Sequence, residues 1–352
     1  MEVLVLGGTG SIGDYLVPML LAAGHGVTVL SRGQRRPAFW SDVRHVAADR
    51  STEGLSSLAG ERFDAVIDNI AYEPVHIRQV AAALGEGAGH YLFTSTAFVG
   101  EPRQGAELRA EEVDLQAVPP DFRDNAHARY VYQKRQAELL LHEGILGNRW
   151  SILRPVNIYG PEDRQGRLSW WVARLLDGQP LLLPDDFPAI TLAGHNMMVF
   201  ARDVAAAQMA CLGNPAAFGG TYQLAMTEAP AVPEWIQILA EALDRETPEL
   251  IAIPRRMLAH SPLAANAAGT YRVPGLFGGW RYDVTPAREV LGWRPTPLSD
   301  WLPTVARAIA GRLAAGEGPA VVGLEQRALE VQTARRWQEL LAEAGTRLVG
   351  ES

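Results

Sequence analysis

The first thirty residues alternate between the pattern of a buried strand and that of an amphipathic helix. Four apolar residues in a row, Val3–Leu6, predict a strand that is covered on both faces. Apolar residues then recur at helical spacing from Tyr15 to Leu20, and Gly24 ends this helix. Val27–Leu30 predicts a second strand, so the unit closes within about thirty residues, the length of a parallel βαβ unit.

The same alternation continues along the chain. Residues 43–49, 63–68 and 90–94 predict strands, and residues 75–84 predict a helix. This order predicts an α/β fold, a doubly wound parallel (Rossmann) sheet with a smaller C-terminal substrate-binding lobe. Ligands of such sheets bind beyond the carboxyl ends of the strands. The segments expected to line that crevice are Gly7–Gly13, Asp49, Ile70–Tyr72 and Thr94–Thr96.

The composition changes after Pro161, which suggests a second part of the chain. We predict a Rossmann domain over residues 1–165 and 196–225, a substrate-binding lobe over 166–195 and 226–315, and a helical tail over 316–352. In the tail, Leu324, Val331, Leu340 and Leu341 make one apolar helical face. The tail is therefore expected to dock on the body or on a partner subunit.

Composition and charge narrow the class of protein. The formal net charge of −8 over 352 residues argues against nucleic acid as the main partner. The chain has no run of eighteen apolar residues and no evident signal peptide, so a cytoplasmic protein without a membrane span is expected. The single cysteine, Cys211, cannot form an internal disulfide, and no cluster of metal ligands is apparent.

A glycine-rich turn joins the first strand to the first helix. The spacing fits Gly7-x-x-Gly10-x-x-Gly13 and equally Gly8-x-Gly10-x-x-Gly13. Backbone N–H groups and the positive end of the helix dipole meet at such a turn, and glycine lets a pyrophosphate approach the backbone. Residues of this turn expected to bind a dinucleotide are Gly7, Thr9, Gly10, Ser11, Ile12 and Gly13.

The end of the second strand bears on the choice of cofactor. An Asp or Glu there holds the adenosine ribose hydroxyls of NAD, whereas a neutral residue followed by Arg leaves room for the 2′-phosphate of NADP. This chain has Ser31 followed by Arg32, which favours NADP over NAD. The alternative is a solvated basic loop. Asp49, at the end of the next strand, could face the adenine.

Tyr130 and Lys134 are four residues apart in a predicted helix that begins near Ala126, so they share one face. Lys134 is the only lysine among 32 basic residues, which suggests that an amine is required there. An ammonium near a phenol favours the phenolate. Tyr130 is therefore a candidate general acid/base. The alternative is a simple pair on the helix surface.

With these motifs in order, the chain resembles an extended short-chain dehydrogenase/reductase of the NAD-dependent epimerase/dehydratase superfamily. The resemblance covers roughly residues 1–310. It is carried by the glycine turn, by Thr94–Gly100, by Tyr130-x-x-x-Lys134, by Arg154–Pro161, by Ala201–Ala205 and by Leu291–Pro295.

The resemblance implies a role for individual residues. Ser95 would hydrogen-bond the reacting oxygen of the substrate, Tyr130 would exchange its proton, and Lys134 would hold the nicotinamide ribose. Thr94 and Thr96 leave the choice of hydroxyl open. The further cofactor contacts expected are Arg32, Asp49, Arg50, Ile70, Ala71, Tyr72, Thr94, Pro155 and Asn157. The substrate contacts expected are Thr96, Asn157, Trp170, Arg174 and His195.

The resemblance implies an NAD(P)-dependent epimerase or ketoreductase. Hydride would move at a carbinol or ketone carbon of a nucleotide-activated sugar or a similar polyhydroxylated substrate, and relatives often dimerise through the helix that bears Tyr130. Thr96 and Ala97 stand where sugar 4,6-dehydratases of the family often have an Asp-Glu pair, which weakens the interpretation of this chain as a 4,6-dehydratase. The run Val29–Gly33 also resembles an atypical branch that includes chloroplast stem-loop RNA-binding proteins. A non-catalytic nucleotide- or RNA-binding protein is therefore the alternative.

Overall fold

The computed structural model describes residues 1–52, 54–102, 106–185, 197–228, 230, 232–259, 261, 263, 280–318, 321 and 323–350. Contacts divide the chain into two compact units. The first comprises Met1–Gly160, Met197–Thr227 and Arg281–Thr296, and the second comprises Pro161–Asn196, Glu228–Trp280 and Pro297–Ser352.

The strands and helices of both units are numbered together in chain order. The strands are β1 (Glu2–Leu6), β2 (Gly26–Ser31), β3 (Arg44–Ala47), β4 (Ala65–Asp68), β5 (His90–Thr94), β6 (Glu107–Leu108), β7 (Trp150–Pro155), β8 (Asn157–Tyr159), β9 (Leu181–Pro184), β10 (Met198–Phe200), β11 (Gly220–Leu224), β12 (Leu250–Ile253) and β13 (Arg281–Tyr282). The helices are α1 (Gly13–Ala22), α2 (Pro74–Leu84), α3 (Ala126–His142), α4 (Arg167–Leu175), α5 (Ala201–Cys211), α6 (Val232–Ala242), α7 (Arg255–Ala259), α8 (Thr285–Val290), α9 (Leu298–Ala314) and α10 (Arg327–Gly350). Within the described ranges, no helix has the length and hydropathy needed to cross a bilayer.

A seven-stranded parallel sheet forms the centre of the first unit, in the order β11-β7-β5-β4-β1-β2-β3. The predicted doubly wound fold is therefore confirmed. Val3–Leu6 of β1 are fully buried, because this strand lies inside the sheet and is covered on both faces. The connections run in opposite directions on either side of β1, so the switch point lies at the carboxyl ends of β1 and β4.

Helix α3 carries the Tyr130–Lys134 pair, and its start is fixed locally. The Asn125 side chain caps the helix by accepting hydrogen bonds from the His127 and Ala128 N–H groups, at 2.9 and 3.2 Å. Further along, Ala137 and Leu141 are fully buried in the core cluster that contains β4 and β5. Cap and core together set which face of α3 is directed at the carboxyl ends of these strands.

Residues 281–296, which the sequence analysis assigns to the smaller lobe, group with the first unit. The reason is a polar anchor on α5: the buried Asp203 carboxylate accepts hydrogen bonds from Thr296 N and Oγ1, at 2.7 and 2.6 Å. Trp293 Nε1 also donates to the Asp203 carbonyl, at 2.8 Å. Strand β10, which precedes α5, pairs with β8 rather than with the central sheet.

The second unit contains α4, the two-stranded β9-β12 sheet and the tail helix α10. Of the four residues predicted to form the apolar face of the tail, only Val331 is half-buried. Leu324, Leu340 and Leu341 are exposed, whereas Glu330 and Ala334 are buried. Trp337 Nε1 donates to the Ala252 carbonyl in β12, at 2.9 Å. Polar anchors, not a leucine stripe, therefore hold this helix.

Candidate active site

The glycine turn between β1 and α1 has the shape that a pyrophosphate requires. Gly7 has a φ of +83°, and a Cβ there would collide with Ile70. A Cβ on Gly13 would collide with the Gly8 carbonyl, so α1 packs closely on the turn. At Gly10 a Cβ would meet only the Gly7 carbonyl oxygen, at an ordinary contact distance of 3.5 Å. Ile12 occupies the N-cap of α1 without a side-chain cap, so the turn fits an anionic ligand.

Arginines follow β2 at the adenosine end of the crevice. Arg35 donates to the Thr9 carbonyl, at 3.1 Å, and pairs with Asp14, so it fastens the glycine turn. Arg32 is exposed. Ser31 stands where an acid could hold ribose hydroxyls, and its hydroxyl lies 2.9 Å from His45 Nε2. The end of β2 is therefore neutral and is followed by a cation.

Arg50 is directed into the fold, which argues against its predicted contact with a cofactor. It is buried, its Nη1 lies 2.8 Å from both carboxylate oxygens of Asp68, and its Nη2 donates to the His76 carbonyl at 2.8 Å. These partners use its donors inside the fold. Asp49 stays partly exposed at the edge, where its carboxylate accepts a hydrogen bond from Ser51 N at 2.9 Å.

The Arg50–Asp68 pair fixes the segment that follows β4. Asp68 accepts hydrogen bonds from Ile70 N at 3.0 Å and from the Tyr91 hydroxyl at 2.8 Å. His76 Nδ1 accepts from Tyr72 N at 3.1 Å, a role that needs the neutral ring. Burial, followed by the charge of Arg50, lowers the pKa of His76 below its ordinary value. The peptide groups of residues 70–72 are thereby held in place.

Lys134 lies in a closed cage at the carboxyl ends of β4 and β5. Its ammonium donates to the Ala71 carbonyl at 2.7 Å and to the Thr94 carbonyl at 2.8 Å. It also lies 5.1 Å from the ring centroid of Tyr72 and 5.9 Å from that of Tyr130. Burial lowers the pKa of Lys134 from 10.5 to about 7, against the opposing charges of Asp68 and Glu138. The structure thus brings the predicted Tyr130, Lys134, Ala71, Tyr72 and Thr94 together.

Ser95 is directed away from this cage. Its hydroxyl donates to Glu138, whose fully buried carboxylate also accepts from Arg154 Nη2 at 2.6 Å and from Arg154 Nε at 3.1 Å. The Ser95 proton is therefore used inside the fold, which argues against the predicted contact between this hydroxyl and a substrate oxygen.

The two neighbouring threonines differ in the same respect. Thr94 Oγ1 donates to Asn69 Oδ1 at 2.7 Å and accepts from Gln208 Nε2 at 2.9 Å. Thr96 caps the 3₁₀ turn Ala97–Val99, and its Oγ1 accepts from Phe98 N at 3.3 Å. In the part of the chain that the structure describes, the Thr96 hydroxyl proton has no acceptor. Thr96 is thus the hydroxyl of the three that can donate to a ligand.

The remaining predicted contacts fall into three groups. Pro155 ends β7 and Asn157 begins β8, both in the first unit. Trp170 and Arg174 lie in α4 of the second unit, and both are buried. Arg174 pairs with Glu330 of α10 at 2.7 Å and lies 3.8 Å from the centroid of the Trp170 ring, so it anchors the tail, which argues against its predicted contact with a substrate. His195 lies outside the described residues.

Glu138 belongs to the same helical face but was not predicted as a site residue. It lies four residues after Lys134 and eight after Tyr130, so the three share one face of α3. An acidic residue on a helical face that packs against the core indicates an internal ion pair, because charged side chains are rarely buried without a partner. This signal is present in the sequence. No group of residues suited to a metal ion occurs among the described side chains, and the site is composed of hydroxyl, amine and aromatic groups.

The sheet and the glycine turn define a Rossmann-type protein with a dinucleotide crevice. The sequence model described as "NAD dependent epimerase/dehydratase family" matches residues 3–225, and the chain belongs to this family. Family and relatives indicate an NAD-dependent enzyme of the epimerase, dehydratase or reductase kind.

Two curated relatives match most of the chain. One is the chloroplast stem-loop binding protein of 41 kDa b of Arabidopsis thaliana, 27% identical over 312 residues, which are 84% of this chain and 75% of that protein. The other is the 3-diazoavenalumate denitrifying reductase of a Streptomyces species, 27% identical over 322 residues, which are 84% of this chain and 96% of that protein.

Solved structures show the same fold. UDP-glucuronic acid 4-epimerase from Bacillus cereus, in complex with NAD, superposes with a TM-score of 0.66 at 18% identity, over 88% of this chain and 99% of that chain. UDP-glucose 4-epimerase from Thermotoga maritima, with UDP-glucose, gives a TM-score of 0.63 at 18% identity, over 89% of this chain and 100% of that chain.

Proposed function

We propose that this protein is an NAD(P)-dependent oxidoreductase that acts at a carbinol or ketone carbon. The observation that carries the proposal is the cage around Lys134, the chain's one lysine, in which two carbonyls and the Tyr130 ring surround a buried ammonium. Burial of an amine lowers its pKa and costs stability of the fold. Such groups cluster at functional sites, and an amine beside a phenol suits proton transfer.

In the proposed reaction, individual residues of the first unit have separate roles. When bound, the nicotinamide supplies the hydride to a ketone carbon or takes it from a carbinol carbon. In the ketone direction, Tyr130 gives its proton to the substrate oxygen, and the Lys134 charge stabilises the phenolate that remains. Thr96, rather than the predicted Ser95, donates a hydrogen bond to the same oxygen. Tyr130 then takes back a proton from solvent.

For the cofactor we propose NADP in preference to NAD. Support comes from the neutral Ser31 at the end of β2 and from the exposed Arg32 beside it, since a cation suits a 2′-phosphate. The glycine turn would hold the pyrophosphate, and the Lys134 cage would hold the nicotinamide ribose.

The substrate has two candidate classes. Structural relatives solved with UDP-glucose or UDP-glucuronic acid support the predicted nucleotide-activated sugar and an epimerisation. The relative named as a reductase supports net reduction of another substrate. Arg174 and Trp170, the side chains predicted to contact a sugar nucleotide, are buried in the anchor of α10, which weakens the first class.

An RNA-binding function is the second candidate, since one relative is named as a stem-loop binding protein. The net charge of −8 opposes it, because phosphate contacts require a basic surface.

We also propose a homodimer formed through α3, where Tyr132, Gln136 and Leu140 line a groove beside Pro74 and Arg78 of α2. Light scattering of the purified protein tests this assembly.

Mass spectrometry of the small molecules released by denaturing freshly purified protein tests the enzyme class. Retained NAD⁺ or NADP⁺ near one per chain supports a recycled cofactor and an epimerase. An empty protein that binds NADPH more tightly than NADH supports a reductase. No binding of either dinucleotide, together with salt-sensitive binding of RNA, would overturn the proposal.

A further inference from the structure

A histidine of β3 lies beside the loop that follows β2. His45 Nε2 is 2.9 Å from the Ser31 hydroxyl oxygen, and a Cβ on Gly33 would lie 3.5 Å from Cε1 of the same ring. The ring also packs on Trp40, with 3.9 Å between the ring centroids and 39° between the ring planes. These contacts hold the imidazole at the end of β2, where dinucleotide folds bind the adenosine ribose.

The hydrogen bonds of Ser31 depend on the charge of His45. A serine hydroxyl has one proton to donate and two lone pairs that accept. Gly33 N donates to the Ser31 oxygen at 3.3 Å, which uses one lone pair. A protonated His45 donates through Nε2 and uses the second, so that the Ser31 proton is left for a ligand. A neutral His45 can instead accept that proton.

A protonated His45 suits a phosphate at this end of the sheet. In this fold the side chain at the end of the second strand adjoins the 2′ position of the ribose, and the His45 ring lies one hydrogen bond beyond Ser31. Ser31 is buried, so little water screens the imidazolium from a group bound there. A 2′-phosphate gains both this charge and a donated hydrogen bond, whereas a neutral ribose hydroxyl gains little from the charge.

The surroundings of His45 also favour an anion. The charged groups on the neighbouring elements are Arg32 and Arg36 of the loop after β2, Asp42 of the 3₁₀ turn Ala38–Asp42, and Arg44 of β3. Asp42 is exposed and accepts a hydrogen bond from the Ser41 hydroxyl at 3.2 Å, and Arg44 pairs with Glu61 at 2.6 Å. The charge that acts on His45 is that of Arg36, a cation.

We propose that His45 is a positioning residue for the choice of cofactor, which in its protonated form directs the Ser31 hydroxyl to the 2′-phosphate of NADP. This inference rests on the proposed NADP-dependent function and adds to it a residue that acts through Ser31. Arg32 would contact the phosphate directly. A dependence of NADP binding on pH is the consequence.

The sign of this dependence follows from the pKa of His45. Burial, together with the charge of Arg36, lowers this pKa below 6.5, against a hydrogen bond to the Ser31 backbone. A bound phosphate raises the pKa, so binding takes up a proton. Affinity for NADP should therefore fall as the pH rises through the interval between the pKa of the free protein and that of the complex.

Isothermal titration calorimetry of the full-length protein with NADP⁺ and NAD⁺, at pH 6.0 and 8.5, tests this role. His45→Phe keeps a ring against Trp40 but removes the hydrogen bond and the charge. At pH 6.0 wild type should bind NADP⁺ about three- to tenfold more tightly than this variant, and at pH 8.5 by less than about twofold. Affinity for NAD⁺ should be the same in both proteins. Protonation of the 2′-phosphate itself is common to both and cancels in the comparison.

Two further variants show whether His45 acts through the hydroxyl. Ser31→Ala should weaken NADP⁺ binding at pH 6.0, and the double variant with His45→Phe should lose less than the product of the two single losses, because both changes break one interaction. His142→Phe is the matched control. It makes the same exchange against Trp150, whose ring centroid is 4.7 Å away, at the far end of α3, and should change neither affinity.

Equal affinities of wild type and His45→Phe for NADP⁺ at pH 6.0, or a difference of the same size at pH 8.5, would overturn the role of His45. Equal losses for NADP⁺ and NAD⁺ would also overturn it, since they would show a purely structural effect. A preference for NADP⁺ that persists in these cases leaves the proposed cofactor in place. Binding of neither dinucleotide to wild type would overturn the proposed function and the role of His45 together.

Discussion

The Ser95 hydroxyl donates its hydrogen bond to the buried carboxylate of Glu138, which Arg154 holds from the other side. The next residue, Thr96, has its hydroxyl proton available in the described part of the chain. Adjacent hydroxyls on one loop are thereby separated into a structural one and a candidate catalytic one.

Substitution of Thr96 should lower activity, whereas substitution of Ser95 should lower stability. Thr96→Val keeps the shape but removes the donor, and should lower kcat on the order of 10²–10³-fold, because a hydrogen bond to the developing charge is lost. Ser95→Ala should leave kcat within a few-fold but lower the free energy of unfolding by about 1–3 kcal/mol, since Glu138 loses a partner. Steady-state kinetics and urea unfolding measure the two effects, with Thr96→Ser as the control that keeps activity. A large loss of kcat in Ser95→Ala with normal stability would restore Ser95 as the catalytic hydroxyl.

Tyr130→Phe should lower kcat on the order of 10²–10⁴-fold, because the proton donor is removed. The Kd for NADPH, measured by fluorescence titration, should stay close to that of wild type. Tyr132→Phe is the matched control on the same helix and should keep full turnover. Unchanged turnover in Tyr130→Phe would rule out its assignment as acid/base.

The stability of the protein should depend on pH through Lys134. Its folded pKa of about 7 lies below the ordinary 10.5, so the folded chain binds this proton less readily than the unfolded chain does. Stability from this group therefore rises with pH from about 7 towards 10.5, and it is lost as the pH falls through that range.

Urea unfolding at pH 7.0 and 8.5 measures this dependence. The isosteric Lys134→Met removes the group, so the difference between wild type and variant isolates its contribution from those of cysteine and tyrosine. The chain has no second lysine to obscure the comparison. Parallel stability curves for both proteins over this range would show that Lys134 keeps an ordinary pKa.

Arg50→Met should destabilise the fold, and any rise in the Kd for NADPH should accompany this loss of stability, because the Arg50–Asp68 pair holds residues 70–72 in place. The change leaves the Asp68 carboxylate buried without its cation, which costs about 3–5 kcal/mol for pairs of this kind. The double variant Arg50→Met with Asp68→Asn should recover part of the loss. A higher Kd for NADPH at unchanged stability would instead return Arg50 to the cofactor site.

Arg32→Ala should weaken binding of NADPH about tenfold, equivalent to ~1.4 kcal/mol, and leave NADH unaffected, because only NADPH carries the 2′-phosphate. Titration of both dinucleotides with Arg62→Ala as the control for a lost surface charge makes the comparison. Equal effects on the two dinucleotides would remove the support for NADP.

Local patterns were sufficient to predict the sheet, the glycine turn and the Tyr130–Lys134 face. Each depends on residues close together in sequence, whose spacing carries the periodicity of a strand or a helix. Positions of the polar partners were not predictable in this way. Ser95 and Glu138 are 43 residues apart, and Arg174 and Glu330 are 156 apart.

Arg50 and Arg174 show the physical reason. A lone arginine near a predicted crevice suits a phosphate, but an arginine can equally bind a carboxylate from a distant segment in the same bidentate geometry. Which of the two occurs depends on tertiary packing that brings Asp68 or Glu330 alongside. His195 lies outside the described residues, so its predicted contact stays a prediction.

The burial of the sole lysine affects how this protein can be handled. Succinimidyl esters react with unprotonated, accessible amines, and the Lys134 amine is 2% exposed and engaged with two carbonyls. Apart from the terminal α-amino group, the folded chain therefore offers such reagents no target. A dye can react with Lys134 only when α3 opens from the sheet. The rate of labelling at this residue will therefore measure local unfolding without any change to the sequence.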